Sequence, residues 1–218
     1  MLNIENSLEE KEKKMISIID YGSGNIRAIG NIYDRLRIPY NVASSPELLI
    51  NASKIILPGV GAFDATMSML NKSGFINKLE ELVLQRQIPI LGICVGMQIL
   101  SEGSEEGNLK GLGWIKGNVR KFNKELLSHK PKTPHLGWNS VKINKASSIL
   151  NFINPDDGFY FIHSYYFECF DSKDILAESF YGADFTCAVN KDNIFGVQFH
   201  PEKSHQNGIT LLKNFAEL

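Results

Sequence analysis

Short apolar runs alternate along the chain with longer stretches in which apolar residues recur every three or four positions, and the alternation starts at Met15. Ile16–Ile19 reads as a buried strand, and Ile26, Ile29, Tyr33 and Leu36 give a helix one apolar face. Pro39 ends that helix, and Tyr40–Ala43 is a second strand. Ser45-Pro46-Glu47 opens a helical turn with a serine cap and proline at its first position, and Lys54–Leu57 is a third strand. Two helical patterns fill 63–86, broken at Ser73-Gly74. The apolar run Ile88–Ile93 then predicts a fourth strand, with a helical pattern (Met97, Gln98, Ile99, Leu100) behind it. A βαβαβ order of this kind predicts an α/β fold, a parallel sheet with helices on both faces.

The texture changes after Ser101. Gly103–Gly113 is glycine-rich and polar, a long loop on the side of the sheet where sites form. Beyond it strands dominate: Val119–Phe122, Trp138–Ile143, Phe159–Phe167, Ile175–Tyr181, and a hairpin pairing Phe185–Val189 with Ile194–Phe199. A last helix runs from about Gln206 to Phe215 with Leu211, Leu212 and Phe215 inward. Antiparallel strands thus extend the parallel core. Residues 1–14 are polar and charged with too few apolar positions for a core stripe, so they are expected to form a flexible extension, frayed helix or disorder, ahead of one domain over 15–218. Met15 is a candidate native start.

Composition narrows the function classes. Lys plus Arg number 23 against 24 Asp plus Glu, a balance that argues against nucleic acid held by bulk charge. Cys94, Cys169 and Cys187 are far apart and odd in number, which fits a reducing cytoplasm rather than a disulfide framework or a thiolate zinc site. No apolar run reaches the roughly 18 residues of a membrane span, so a soluble, cytoplasmic protein is expected.

Two stretches carry chemistry. Gly92-Ile93-Cys94-Val95-Gly96 sets a thiol between glycines at a strand-to-helix turn, the sulfur counterpart of the Gly-x-Ser-x-Gly elbow. Such a turn lifts the sulfur above the sheet edge and over a helix N-terminus, whose N–H groups favour thiolate. The competing reading is a small, inert core cysteine. Downstream, the strand carrying Gln198 and Phe199 ends at His200, and alternation puts Glu202 on the same side. Thiol catalysis needs a base and a carboxylate to orient it, and Cys94, His200 and Glu202 supply the set. The five histidines (His129, His135, His163, His200, His205) show no metal-ligand spacing, so neither metal nor cofactor is expected. Asp20-Tyr21-Gly22-Ser23-Gly24-Asn25 lacks the third glycine and the lysine of phosphate loops, and reads as a tight βα turn.

Gly92–Gln98 together with Phe199-His200-Pro201-Glu202-Lys203-Ser204 resembles the class I glutamine amidotransferase family. Asp20–Asn25, Pro58–Phe63, Pro134–Asn139 and Phe161–Tyr166 are similar to one branch of it, over roughly Met15 to Leu218. Val95 and Leu136 are mild apolar departures from the family's usual residues. The resemblance implies a three-layer, flavodoxin-like fold with a mostly parallel central sheet extended by antiparallel strands. It implies a glutaminase that uses Cys94, His200 and Glu202 and hands ammonia to a (β/α)8-barrel cyclase subunit. That heterodimer makes imidazole glycerol phosphate and AICAR in histidine biosynthesis.

By the elbow's geometry the Val95 N–H is one oxyanion donor. The resemblance implies that the second comes from Gly59-Val60, through a peptide that turns over when the partner is liganded, so the isolated chain is expected to be a weak glutaminase. It also implies that Gly61, Gln98, Glu106, Ser164 and Tyr165 hold glutamine, and that Asn25, Trp138, Tyr160 and Lys203 lie near the partner. The competing reading of Trp138 and Tyr160 is as ordinary core aromatics. Two other readings stay open: a paralogue feeding ammonia to an amidotransferase of surface-polysaccharide sugars, and a catalytically silent regulatory scaffold.

Overall fold

The computed structural model describes residues 15–127 and 133–218. The charged extension (1–14) and His129 lie outside the described residues. The first half is a parallel wound layer. Strand β1 (Met15–Ile19) leads to helix α1 (Ile26–Leu36), then β2 (Tyr40–Ala43), β3 (Ala52–Gly59), α2 (Phe63–Ser73) and α3 (Phe75–Leu79). Next come β4 (Ile90–Cys94) and the four-residue helix α4 (Val95–Gln98). Helix α1 buries Ile29, Ile32 and Tyr33, and Arg37 in left-handed geometry (φ 56°) ends it ahead of Pro39. Gly74, at φ 77°, makes the expected break between α2 and α3. Residues 80–85 then continue α3 as a wider, π-type turn.

The second half contributes β5 (Gly103–Ser104), β6 (Gly117–Lys121), β7 (His135–Asn139), β8 (Lys142–Ile143), β9 (Phe159–His163), β10 (Tyr165–Cys169), β11 (Ile175–Phe180), β12 (Asp184–Lys191) and β13 (Ile194–Val197), closing with α5 (His205–Glu217). The main sheet runs β2-β1-β3-β4-β13-β12-β10-β6-β5, with β11 on β12 and β8 on β11. Pairing is parallel from β2 through β13, then antiparallel through β12, β10 and β6. The parallel core with antiparallel extension therefore stands as expected.

Two expected strands are each cut in two. The run 138–143 breaks at Ser140-Val141, and 159–167 breaks at Ser164, so that β7 and β9 pair in a small antiparallel sheet while β10 returns to the main one. Under this junction Phe122, Tyr181 and Phe185 enclose the buried His135 and His163. Tyr33 donates its hydroxyl to the Leu212 carbonyl at 3.2 Å, tying α1 to α5. No helix among the described residues is long and apolar enough to cross a membrane.

Candidate active site

Cys94 ends β4 with φ 56° and ψ −112°, a backbone conformation that non-glycine residues avoid and that nucleophile elbows adopt. The glycines around it are there for space. A Cβ on Gly92 would lie 2.6 Å from the Gly96 carbonyl oxygen, one on Gly96 would collide with the Leu57 carbonyl, and one on Gly59 with the Gly96 amide. The elbow is thus wedged against β3, where Gly59 sits opposite Cys94. Helix α4 is shorter than the sequence pattern suggests. With one turn it has little macrodipole to offer a thiolate, so the expected helix-terminus effect falls to the single N–H groups beside the sulfur.

Strand β13 lies beside β4, with Val197 opposite Ile93, which carries the chain after it to the cysteine. The His200 amide donates to the Tyr160 carbonyl at 2.9 Å. Its Nδ1 lies 2.8 Å from Glu202 Oε1, and the two side chains are 4% and 1% exposed. The other ring nitrogen faces Cys94, with which His200 shares a hydrogen bond. Burial pulls the imidazole pKa down, but the hydrogen bonds and charges of Cys94 and Glu202 override it and hold His200 up at about 10. Asn25 Nδ2 also donates to Glu202 Oε1, at 3.4 Å.

A cleft of about 370 Å³ opens over the sulfur. Gly61, Gln98, Glu106, Ser164 and Tyr165 all line it, with Val60, Val95, Lys203 and His163. Gln98 is buried, and its Nε2 donates to the Tyr165 carbonyl (3.1 Å) and to Gln198 Oε1 (3.0 Å). Glu106 Oε2 accepts the Phe63 amide at 2.9 Å at the start of α2. In return Asp64 accepts the amides of Asn108 and Leu109, so α2 and the glycine-rich loop clasp each other. Gly59 sits behind the cleft wall. The Val60 N–H is engaged, donating to Ser23 Oγ at 2.9 Å, and the Ser23 hydroxyl donates to the Val60 carbonyl at 3.1 Å.

His163 is a further cleft group. Its Nδ1 donates to the Tyr165 carbonyl (2.8 Å), so its Nε2 accepts from His135 Nδ1 (3.0 Å). Burial first, then His135, pushes its pKa down to about 3, so this imidazole is neutral. The four residues expected near a partner form one continuous stretch. Trp138 and Tyr160 are cross-strand neighbours, Lys203 Nζ lies 5.6 Å from the Tyr160 ring, and Asn25 reaches the neighbouring Glu202. Trp138 is 48% exposed, so it is no core aromatic.

Two residues at the site escaped the sequence reading. Gln198 donates through Nε2 to Cys94 Sγ at 3.7 Å. The alternation that joins His200 to Glu202 reaches it when run two residues backwards. Ser23 sits between Gly22 and Gly24, both at positive φ, in a turn whose only sequence signal is those glycines.

Comparison with known proteins bears on what this constellation belongs to. The family profile described as glutamine amidotransferase class-I matches residues 17–218. The chain belongs to the class I glutamine amidotransferase family. This amidotransferase is 52% identical over 204 residues to the "Imidazole glycerol phosphate synthase subunit HisH" of Bdellovibrio bacteriovorus, covering 94% of this chain and 100% of that protein. The protein of the same name from Leptospira borgpetersenii is 49% identical over the same shares. Among solved structures, PurLQS from Thermotoga maritima superposes on the amidotransferase with a TM-score of 0.70 at 16% identity, covering 94% of this chain and 98% of that one. A crystal structure titled glutamine amidotransferase gives 0.68 at 16% identity, covering 93% and 97%. Both likenesses concern the fold.

Proposed function

We propose that this amidotransferase is the glutaminase subunit of an imidazole glycerol phosphate synthase, supplying ammonia for histidine biosynthesis to a cyclase subunit. The observation that carries the chemistry is the contact of Cys94, His200 and Glu202 at a strained elbow under a cleft of about 370 Å³. Near-complete coverage of relatives bearing that synthase's name supports the acceptor, and favours it over surface-sugar synthesis.

His200, held up at about 10, already carries the proton of the Cys94–His200 pair at neutral pH, and Cys94 Sγ attacks the carboxamide carbon. The imidazolium then protonates the nitrogen, ammonia leaves, and a thioester remains. Water opens it with the now neutral His200 as base, giving glutamate and restoring the pair. Glu202 holds the ring by Nδ1 and stabilises its cation through both steps. Both Nε2 protons of Gln98 are spent on Tyr165 and Gln198, so its carbonyl oxygen is left to accept from the substrate. Glu106 caps α2 with one oxygen and has the other for the substrate's ammonium.

The Val95 N–H is the first oxyanion donor. The Val60 N–H becomes the second only when it leaves Ser23; Gly59 is one end of the peptide that must turn, and Gly61 (φ 95°) follows Val60. One such donor is worth about 2.7–4 kcal/mol, so the chain alone is a weak glutaminase. Ammonia released into water is protonated and lost as a nucleophile, so it passes to the partner across the face that carries Asn25, Trp138, Tyr160 and Lys203.

The test is reconstitution with the cyclase subunit from the same source. Glutamine-dependent synthesis of imidazole glycerol phosphate is expected, and Cys94→Ala should abolish it while ammonia-dependent synthesis persists. Undiminished glutamate formation by that variant would overturn the chemistry. Absence of any coupling to the cyclase would overturn the acceptor.

A further inference from the structure

We propose that Gln198 is a catalytic residue: its side-chain amide is a hydrogen-bond donor dedicated to the Cys94 thiolate, locked in that orientation by Gln98. The inference rests on the assignment of Cys94 as nucleophile. A glutamine amide can present either its nitrogen or its oxygen to a neighbour, and here the choice is made by what lies behind it. Gln198 is fully buried, and its Oε1 accepts from Gln98 Nε2 at 3.0 Å, which turns Gln198 Nε2 towards Cys94 Sγ at 3.7 Å. Gln98 cannot reverse, because its Nε2 also donates to the Tyr165 carbonyl at 3.1 Å. That carbonyl has a second donor, His163 Nδ1, itself fixed by His135. Every amide and imidazole in the chain therefore has a determined direction, and the chain ends on the sulfur.

The elbow needs such a donor. Helix α4 is a single turn, so the aligned peptides that lower thiol pKa at longer helices are missing. His200 supplies one partner when protonated, but it must give up that proton to the leaving nitrogen, and the sulfur must be stable again as a leaving group when the thioester opens. A neutral amide keeps its protons through the whole cycle. It favours the thiolate at both moments without competing for the proton. The backbone places it there: Gln198 and His200 are two residues apart along one strand end and reach the same sulfur from one side.

The experiment is the pH dependence of Cys94 alkylation by iodoacetamide in the full chain, read by mass spectrometry of the Cys94 peptide so that Cys169 does not contribute. Gln198→Met keeps length and removes the donor; Gln198→Glu keeps shape and the acceptor for Gln98 but removes the donor and adds charge. The midpoint for alkylation is expected to rise by about one pH unit in Gln198→Met, a tenfold loss of thiolate, and by more in Gln198→Glu. A packing role predicts the reverse order, since glutamate is the closer isostere. In the wild-type chain, the Gln198 side-chain amide resonances are expected to titrate with the Cys94 midpoint, a reading that needs no variant. Variant midpoints equal to wild type, or amide resonances indifferent to Cys94 ionisation, overturn the proposal. A wild-type alkylation profile unmoved by His200→Ala would instead count against Cys94 as the nucleophile.

Discussion

The substitution Glu202→Gln isolates the charge that His200 leans on. It keeps the side chain's shape and removes the anion 2.8 Å from Nδ1. Holding His200 at about 10 rather than the usual 6.5 corresponds to about 5 kcal/mol in favour of imidazolium. Cys94 and Glu202 share it, so the carboxylate's part is about 2–3 kcal/mol, and it acts in the steps where the ring is cationic. The glutaminase kcat of the complex should fall about 30- to 150-fold, with KM changed much less. Stability gives a second reading. A histidine whose folded pKa lies above its unfolded value stabilises fully below about pH 6.5. That contribution declines as pH climbs and is gone once it passes about 10. Urea unfolding of Glu202→Gln should lose about half of that dependence. A kcat within threefold of wild type, with an unchanged stability profile, would refute the reasoning.

Two further expectations concern stability. His163 is held near 3 in the folded chain while the unfolded chain binds its proton near 6.5, so this group costs the fold about 2.3 kcal/mol on going from pH 6.5 to 4.5. His163→Gln should show that much less acid sensitivity in urea unfolding, whatever its stability at neutral pH. Asn207 is buried, accepts the Asn154 amide and donates to the carbonyls of Asn154 and Gly158. Asn207→Ala should cost about 2–3 kcal/mol and lower Tm by roughly 4–10 °C, with faster amide exchange at residues 154–158.

The sequence made the parallel half legible because β1, β3 and β4 are largely buried on both faces and its helices on one, with β2 as a half-exposed edge, so period and element agree from β1 to β4. It failed where burial and period part company. Met97, Ile99 and Leu100 are fully buried, a helical pattern by spacing. Yet the chain leaves the helix after Gln98, because the carbonyls of Ile99 and Leu100 accept the distant amides of Leu112 and Ile115. The runs 138–143 and 159–167 stay β-like throughout, and nothing local marks the residue at which a strand changes sheet. Of the site, Cys94, His200 and Glu202 were legible because each has a scarce chemistry at a defined spacing. Gln198 and Ser23 are common residues whose roles exist only through long-range contacts with Gln98, Cys94 and Val60.

The break at Ser164 has a mechanical consequence. Residues 159–169 are one length of chain clamped at both ends, β9 in the small sheet and β10 in the large one. Tyr160 lies on the outer clamp beside Trp138, and Ser164 and Tyr165 form the cleft wall beyond it. Such a length of chain is a lever with its fulcrum in the cleft wall. Phe159, Phe161 and His163 of β9 are buried, so a load on the small sheet reaches the cleft through the chain and through the aromatic core together. The small sheet offers the surface to such a load, through the exposed side chains of Leu136, Trp138 and Ile162.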